Sequence, residues 1–348
     1  VRALALLAAR ALRGHVGNRK RPYKLTLVLT YRCGLRCSMC SIWEKRPEGE
    51  LTVDEVRQFA KRSGFFSWIN LTGGELFLRD DAMEIARVLI AGNRDLYLMD
   101  FPTSAQAPDR VVRGARELLG TRLPRLAVTV SIDGPPELHD RIRGVPGSFE
   151  KAAWVLRELG AIGDRRLEAH AGMTLHETNA AAVDETLAAL QSAVPGFDRG
   201  RLHLNVAQRS GHYYANESGN GFATGDGVRR AAREALERRP FALAPIPLLE
   251  RAYLRGVPRF LDTGRSPVPC AALSSSVFVD PVWDVYPCLT WDARIGNLRD
   301  WAFDLDPLFR SPRARALRRE VRAERCPGCW TPCEALPSLV SRLPELLR

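Results

Sequence analysis

No stretch of this 348-residue chain is apolar for long enough to cross a membrane. The Ala/Leu-rich opening, Val1–Arg13, is interrupted by Arg2, Arg10 and Arg13, so it does not read as a secretory signal. Solenoid periodicity and long low-complexity tracts are also missing, which excludes repeat arrays. The formal charge is +11, yet no aromatic-interleaved platform or nucleic-acid module accompanies it, and nucleic acid is not an expected partner. The remaining composition, 45% hydrophobic and 26% charged, is that of a globular chain large enough for a buried core plus a small second module. A cytoplasmic location is expected.

Cysteine is absent between residues 41 and 269, so Cys33, Cys37 and Cys40 have no fourth thiol nearby. Their run, Tyr31-Arg-Cys33-Gly-Leu-Arg-Cys37-Ser-Met-Cys40, has C-x3-C-x2-C spacing. Three thiolates hold three irons of a 4Fe–4S cube and leave the fourth iron open to another ligand. A zinc site would want a fourth ligand and favours C-x2-C pairs, and a disulfide with a spare thiol suits an oxidising compartment. Both stay open as alternatives. The apolar run Lys24–Thr30 reads as a strand, and the cysteine loop leaves its C-terminal end, where parallel α/β folds build active sites.

A second apolar run, Trp68–Thr72, leads into Gly73-Gly74-Glu75. Glycines at a strand end admit close backbone approach, and a carboxylate accepts hydrogen bonds from an ammonium group. Between the two strands, Thr52 and Glu55 form a capping box with Leu51 and Val56 as its staple. The helix is expected to end in a left-handed cap at Gly64. Further strands are read at 95–101, 126–132, 166–174 and 202–207, with helices centred on 81–91, 108–119, 148–159 and 179–193. Ser131 and Asp133 then meet a Gly-Pro turn, followed by His139-Asp140-Arg141-Ile142-Arg143-Gly144. Hydroxyl and carboxylate suit ribose hydroxyls, arginines suit a carboxylate, and an Asx turn with a solvated ion-paired loop is the plainer alternative.

These motifs resemble the radical S-adenosylmethionine (SAM) superfamily, in particular its SPASM and twitch branches. The resemblance implies that Cys33, Cys37 and Cys40 hold a SAM-binding 4Fe–4S cluster. It implies SAM contacts for Gly73, Gly74, Glu75, Ser131, Asp133 and Arg143. It further implies a 5′-deoxyadenosyl radical that abstracts hydrogen from substrate. The expected fold is a partial, open (β/α)6 TIM-like barrel with a small C-terminal cysteine-rich module. The expected division is a basic amphipathic segment at 1–22, the barrel at 23–240, and a linker plus module at 241–348.

Downstream, Cys270 and Cys288 flank two β-rich runs around Asp280-Pro281 that read as a hairpin returning one cysteine to the other. Cys326, Cys329 and Cys333 follow. The group resembles a twitch subdomain with one auxiliary 4Fe–4S cluster; five cysteines are too few for two. Cys270, Cys288, Cys326 and Cys329 are the expected ligands, with Cys333 spare or replacing Cys329. A zinc ribbon is the alternative.

Much of the positive charge lies in 13–24 and in a helix over 311–325. A solvated helix face competes there with a docking face for an acidic flavodoxin or ferredoxin electron donor. The N-terminal segment is expected to pack on the barrel rather than lie on a membrane surface. After strand six, His212 and Tyr213 are expected either at the pocket as proton-passing groups or as loop residues packing against the C-terminal module, with Cys333 as a hydrogen donor for an epimerisation. Tyr97, Asp100 and Thr103 are weaker pocket candidates, and 215–226 is read as a mobile covering loop. Only about twenty residues precede the first strand. That favours a small polar natural-product intermediate, oxidised or epimerised at a C–H bond, over a ribosomal peptide that is crosslinked or oxidised. A non-enzymatic iron–sulfur or zinc scaffold would leave Glu75, Ser131 and Asp133 without a task.

Overall fold

Alternating apolar strands and amphipathic helices build one sheet, and the computed structural model describes residues 6–7, 9–10, 21–217, 224–239 and 245–342. The strands are β1 (Lys24–Val28), β2 (Trp68–Thr72), β3 (Leu98–Thr103), β4 (Arg125–Ser131), β5 (Leu167–Leu175), β6 (Leu202–Val206), β7 (Ser276–Val279), β8 (Asp284–Tyr286) and β9 (Gly296–Asn297). They lie in the order β6-β5-β4-β3-β2-β1-β7-β8-β9. Strands β1 to β6 pair in parallel, which is the partial barrel expected.

Helices α1 (Val53–Ser63), α2 (Ala82–Gly92), α3 (Pro108–Leu119), α4 (Pro136–Arg143), α5 (Ser148–Ala161) and α6 (Val183–Ala193) fill the crossovers. β4 shows how the pleat sorts its residues. Leu126, Val128 and Val130 join the main core, while Arg125, Ala127, Thr129 and Ser131 stay half-exposed on the other face. α1 begins with the expected capping box: Thr52 accepts from Glu55 N, and Glu55 accepts from Thr52 N. Leu51 and Val56 are both buried.

Two expectations are corrected. Gly64 is not left-handed; its φ is −79°. It is needed for close approach, because a Cβ there would stand 2.2 Å from Gly92 O and 2.3 Å from Ala60 O. Second, residues 136–143 form α4 rather than a loop, with Pro136 in the first turn, where a missing N–H costs nothing. The cysteine-rich region is joined to the barrel sheet: β7 pairs in parallel with β1 from Lys24↔Ser276 to Leu27↔Val279. The hairpin itself is present as antiparallel β7–β8.

Helices α7 (Asp226–Arg238) and α8 (Pro245–Thr263) follow β6, and α9 (Leu305–Phe309), α10 (Pro312–Arg322) and α11 (Pro332–Val340) follow β9. Near the N-terminus, Arg10 donates to Phe65 O at 2.9 Å and pairs with Asp95 at 2.6 Å, which anchors it below β2 and β3. Residues 1–5, 8 and 11–20 of the opening segment, and 218–223 of the expected covering loop, lie outside the described residues. No helix among the described residues is long and apolar enough to cross a membrane.

Candidate active site

The loop after β1 presents Cys33, Cys37 and Cys40 together. Burial pushes Cys40 up to about 12, against a lowering bond from Ile42 N, and the nearby Cys37 and Cys33 add repulsion. Two long-range contacts reach them. Gln106 Nε2 lies 3.4 Å from Cys33 Sγ while its Oε1 accepts from Gly34 N, and Arg143 Nη1 lies 3.7 Å from Cys37 Sγ. The C-terminal carbonyls of α4 hold the loop backbone: Ile142 O accepts from Ser38 N at 2.9 Å and Arg143 O from Arg36 N at 3.1 Å.

Gly73 and Gly74 bring the end of β2 against this loop. A Cβ on Gly73 would meet Thr30 O at 2.4 Å, and one on Gly74 would meet Arg32 O at 2.3 Å. Glu75 is buried and accepts from Ser104 N at 2.7 Å, Ser104 Oγ at 2.6 Å and Thr103 Oγ1 at 3.0 Å. Burial nonetheless raises its pKa. Ser104 and Gln106 were not singled out from the sequence, because their partners lie one strand away and further. Thr103 was read as a pocket residue and instead braces Glu75.

Ser131 is half-exposed on the inner face of β4. Asp133 is not exposed at all: Oδ1 accepts from Thr174 N at 2.8 Å, and Oδ2 lies 2.6 Å from Arg143 Nη2. Asp133 and Arg143 thus form a charge pair, and the same guanidinium approaches Cys37. His139 Nδ1 accepts from Asp133 N at 3.0 Å, and Asp140 caps α5 through Phe149 N and Ser148 Oγ.

His212 and Tyr213 are buried, in keeping with the reading that this loop packs against the cysteine-rich region. His212 Nε2 lies 3.1 Å from Cys288 O, and its ring stacks on Tyr286. Tyr213 OH lies 2.9 Å from Thr72 Oγ1 and 3.1 Å from Gly73 O. Burial lowers His212 to about 4 and raises Tyr213 above the usual phenol range. Tyr214 O accepts from Ser41 N at 2.8 Å. Residues 212–214 thus join the cysteine loop, the glycine loop and Cys288. Asp100 points inward, bonded by Trp68 Nε1 and Asn70 Nδ2.

The downstream thiols divide into two groups. Cys270 is influenced by Cys329 and Cys288, Cys288 by Cys329, and Cys329 by Cys326. Cys333 instead lies in the aromatic cluster of Tyr31, Tyr213, Phe278 and Tyr286, together with Cys33 and Cys40. All eight cysteines are free thiols in this structure. Both groups offer thiolates alone as donors, the ligand set that iron–sulfur cubes take.

A parallel half-barrel with a three-cysteine loop at its C-terminal rim and a second thiol group beside β1 defines a cluster-dependent class of protein. Sequence comparison agrees: the model of the Radical SAM superfamily matches residues 27–190, and that of the iron-sulfur cluster-binding SPASM domain matches residues 270–330. This chain belongs to the radical SAM superfamily and carries a C-terminal SPASM-type auxiliary cluster region. Its cofactors are a SAM-binding 4Fe–4S cluster, an auxiliary cluster and SAM.

Among curated relatives it is similar to the antilisterial bacteriocin subtilosin biosynthesis protein AlbA of Bacillus subtilis, with 28% identity over 45% of this chain and 34% of that protein. It is also similar to pre-heme d1 synthase of Dinoroseobacter shibae, with 29% identity over 68% of this chain and 54% of that protein. The chain thus spans about a third and about half of these relatives. Streptococcus suis SuiB bound to S-adenosylmethionine shares the fold, with a TM-score of 0.61 and 13% identity over 90% of this chain and 72% of that one.

Proposed function

We propose that this chain is a radical SAM oxidoreductase that removes hydrogen from a C–H bond in a peptide substrate. The observation that carries the substrate class is the inner wall of β4–β6. Ala127, Thr129, Ser131, Glu168, His170, Thr174, His203 and Asn205 line it, none of them fully buried, and His203 also meets Glu250 of α8. The wall is largely polar, and its donors and acceptors suit the backbone groups of an extended chain. AlbA, a bacteriocin biosynthesis protein, and SuiB, whose structure is known with the precursor peptide SuiA bound, support the peptide reading over the small-molecule one.

When bound, the SAM-carrying cluster supplies the 5′-deoxyadenosyl radical and the auxiliary cluster supplies an electron acceptor. Cys33, Cys37 and Cys40 would hold the first; Cys270, Cys288, Cys326 and Cys329 would hold the second. Glu75, braced by Thr103 and Ser104, accepts from the SAM ammonium. Gly73 and Gly74 let the backbone lie close, and Ser131 offers a hydroxyl to the ribose. Asp133 orients Arg143, and Tyr213 fixes the glycine loop. Cys333 is left without an iron, beside the first thiol group.

The test is mass spectrometry of reduced, reconstituted protein with SAM and either a pool of synthetic precursor peptides or a set of aminocyclitols. Release of 5′-deoxyadenosine with loss of two hydrogens from a peptide supports the reading. Turnover of aminocyclitols alone overturns it.

A further inference from the structure

We propose that the outer face of α10 is a docking surface for a small acidic electron-transfer protein serving the auxiliary site; this rests on the auxiliary ligand set proposed above. Two sides of one helix carry the argument. Ala314, Leu317 and Val321 are buried, and Val321 packs in the same cluster as Cys270 and Cys288. On the opposite side Arg313, Arg315, Arg319 and Arg322 are exposed. The partner's edge would therefore stand about one helix diameter, ~10 Å, from the auxiliary thiols. The same helix leads directly to Cys326, which is only half-buried.

The charge on this face is uncompensated. Arg325 pairs with Glu320 at 2.6 Å, but none of the four exposed arginines forms an ion pair among the described residues. Arg315 and Arg319 stand one turn apart, as do Arg318 and Arg322, and like charges at that spacing repel. Arg318 feels it: after burial, the nearby Arg322 and Arg315 are what lower its pKa. A purely solvated face has no reason to collect one sign. An acidic protein relieves the repulsion and is steered to the surface nearest the auxiliary site.

The basic groups around the first cysteine loop are less available. Arg36 stacks on Trp43 at 4.0 Å, Arg46 donates to Trp43 O, and Arg32 lies 3.8 Å from Glu50.

The test measures binding of fluorescently labelled oxidised flavodoxin to the reconstituted full chain at low and moderate salt. R315E/R319E/R322E should weaken binding at least tenfold, flatten its salt dependence and retain wild-type iron content, which shows that it folds. R315Q/R319Q/R322Q should fall between. The proposal is overturned if the reversal variant binds like wild type, if R32E/R141E abolishes binding instead, if flavodoxin does not bind, or if a DNA duplex binds α10 as tightly as flavodoxin. Iron content of C270A/C288A separates the two claims. Wild-type iron there defeats the ligand assignment; iron loss there with binding indifferent to α10 defeats the docking surface alone.

Discussion

Arg143 holds Asp133 with one nitrogen at 2.6 Å and approaches Cys37 Sγ with the other at 3.7 Å. The carboxylate is inaccessible and the guanidinium is 11% exposed, so each charge depends on the other for compensation. The Asp133 charge helps raise Arg143 above its ordinary value, against the cost of burial. Breaking such a pair leaves one ion stranded, at about 3–5 kcal/mol.

Arg143→Met should therefore destabilise the apo-protein by about that amount in chemical denaturation. Asp133→Asn should cost a similar amount. The double variant should cost less than the sum, because the second change removes the charge that the first left unpaired. Additive losses would show that the two residues do not act as a pair.

Much of this site is legible in sequence because its parts are local. The C-x3-C-x2-C loop, Gly73-Gly74-Glu75 and the Thr52/Glu55 capping box each lie within a few residues, and spacing alone defines them. The unread parts depend on contacts between distant elements. Nothing near Glu75 announces that Ser104 and Thr103 will bond it, or that Gln106 will reach Cys33. α4 was missed because Pro135-Pro136 resembles a turn, although proline also starts helices. His212 and Tyr213 carry the residue types of an acid–base pair, and only the packing around β6 shows them buried.

Iron content separates the cysteines. Wild-type protein reconstituted anaerobically should bind about eight irons, and replacing Cys33, Cys37 and Cys40 together by Ala should leave about four. Cys333→Ala should keep the wild-type count, since its thiol packs with Cys33 and Cys40 and not in the cluster of Cys270 and Cys288. Cys329→Ala should degrade the auxiliary cluster. Loss of iron in Cys333→Ala with retention in Cys329→Ala would reverse the assignment.

SAM affinity should report on both sides of the glycine loop. Glu75→Ala removes an ionic acceptor, and with about 1.5–3 kcal/mol at stake the dissociation constant should rise roughly ten- to a hundredfold. Tyr213→Phe removes only the hydroxyl that contacts Thr72 and Gly73 O. A neutral hydrogen bond of about 1 kcal/mol predicts a roughly fivefold loss, with iron content unchanged. Equilibrium dialysis on reconstituted protein gives both numbers. Wild-type affinity in the two variants would place the cofactor elsewhere.

The apo-protein should lose stability in mild acid, and His139 is one cause. Its ring is 1% exposed, and Nδ1 accepts from Asp133 N, which only an unprotonated nitrogen can do. Burial, then the Arg143 charge, lowers its pKa from 6.5 to about 4, against the opposing pull of Asp133 and Asp140. The unfolded chain takes up a proton below about 6.5, while the folded chain resists until about 4. The contribution is complete above the unfolded value and is lost as pH falls through that window, at about 1.4 kcal/mol per pH unit. His170 and His203, lowered to about 4 and about 3 chiefly by burial, act in the same direction and steepen the profile. Denaturation of wild type and His139→Gln at pH 7 and pH 4.5 isolates the His139 share. The variant should be less stable at pH 7, having lost the bond to Asp133 N, and the gap should narrow by about 2–3 kcal/mol at pH 4.5. Parallel profiles would mean that His139 does not titrate on unfolding.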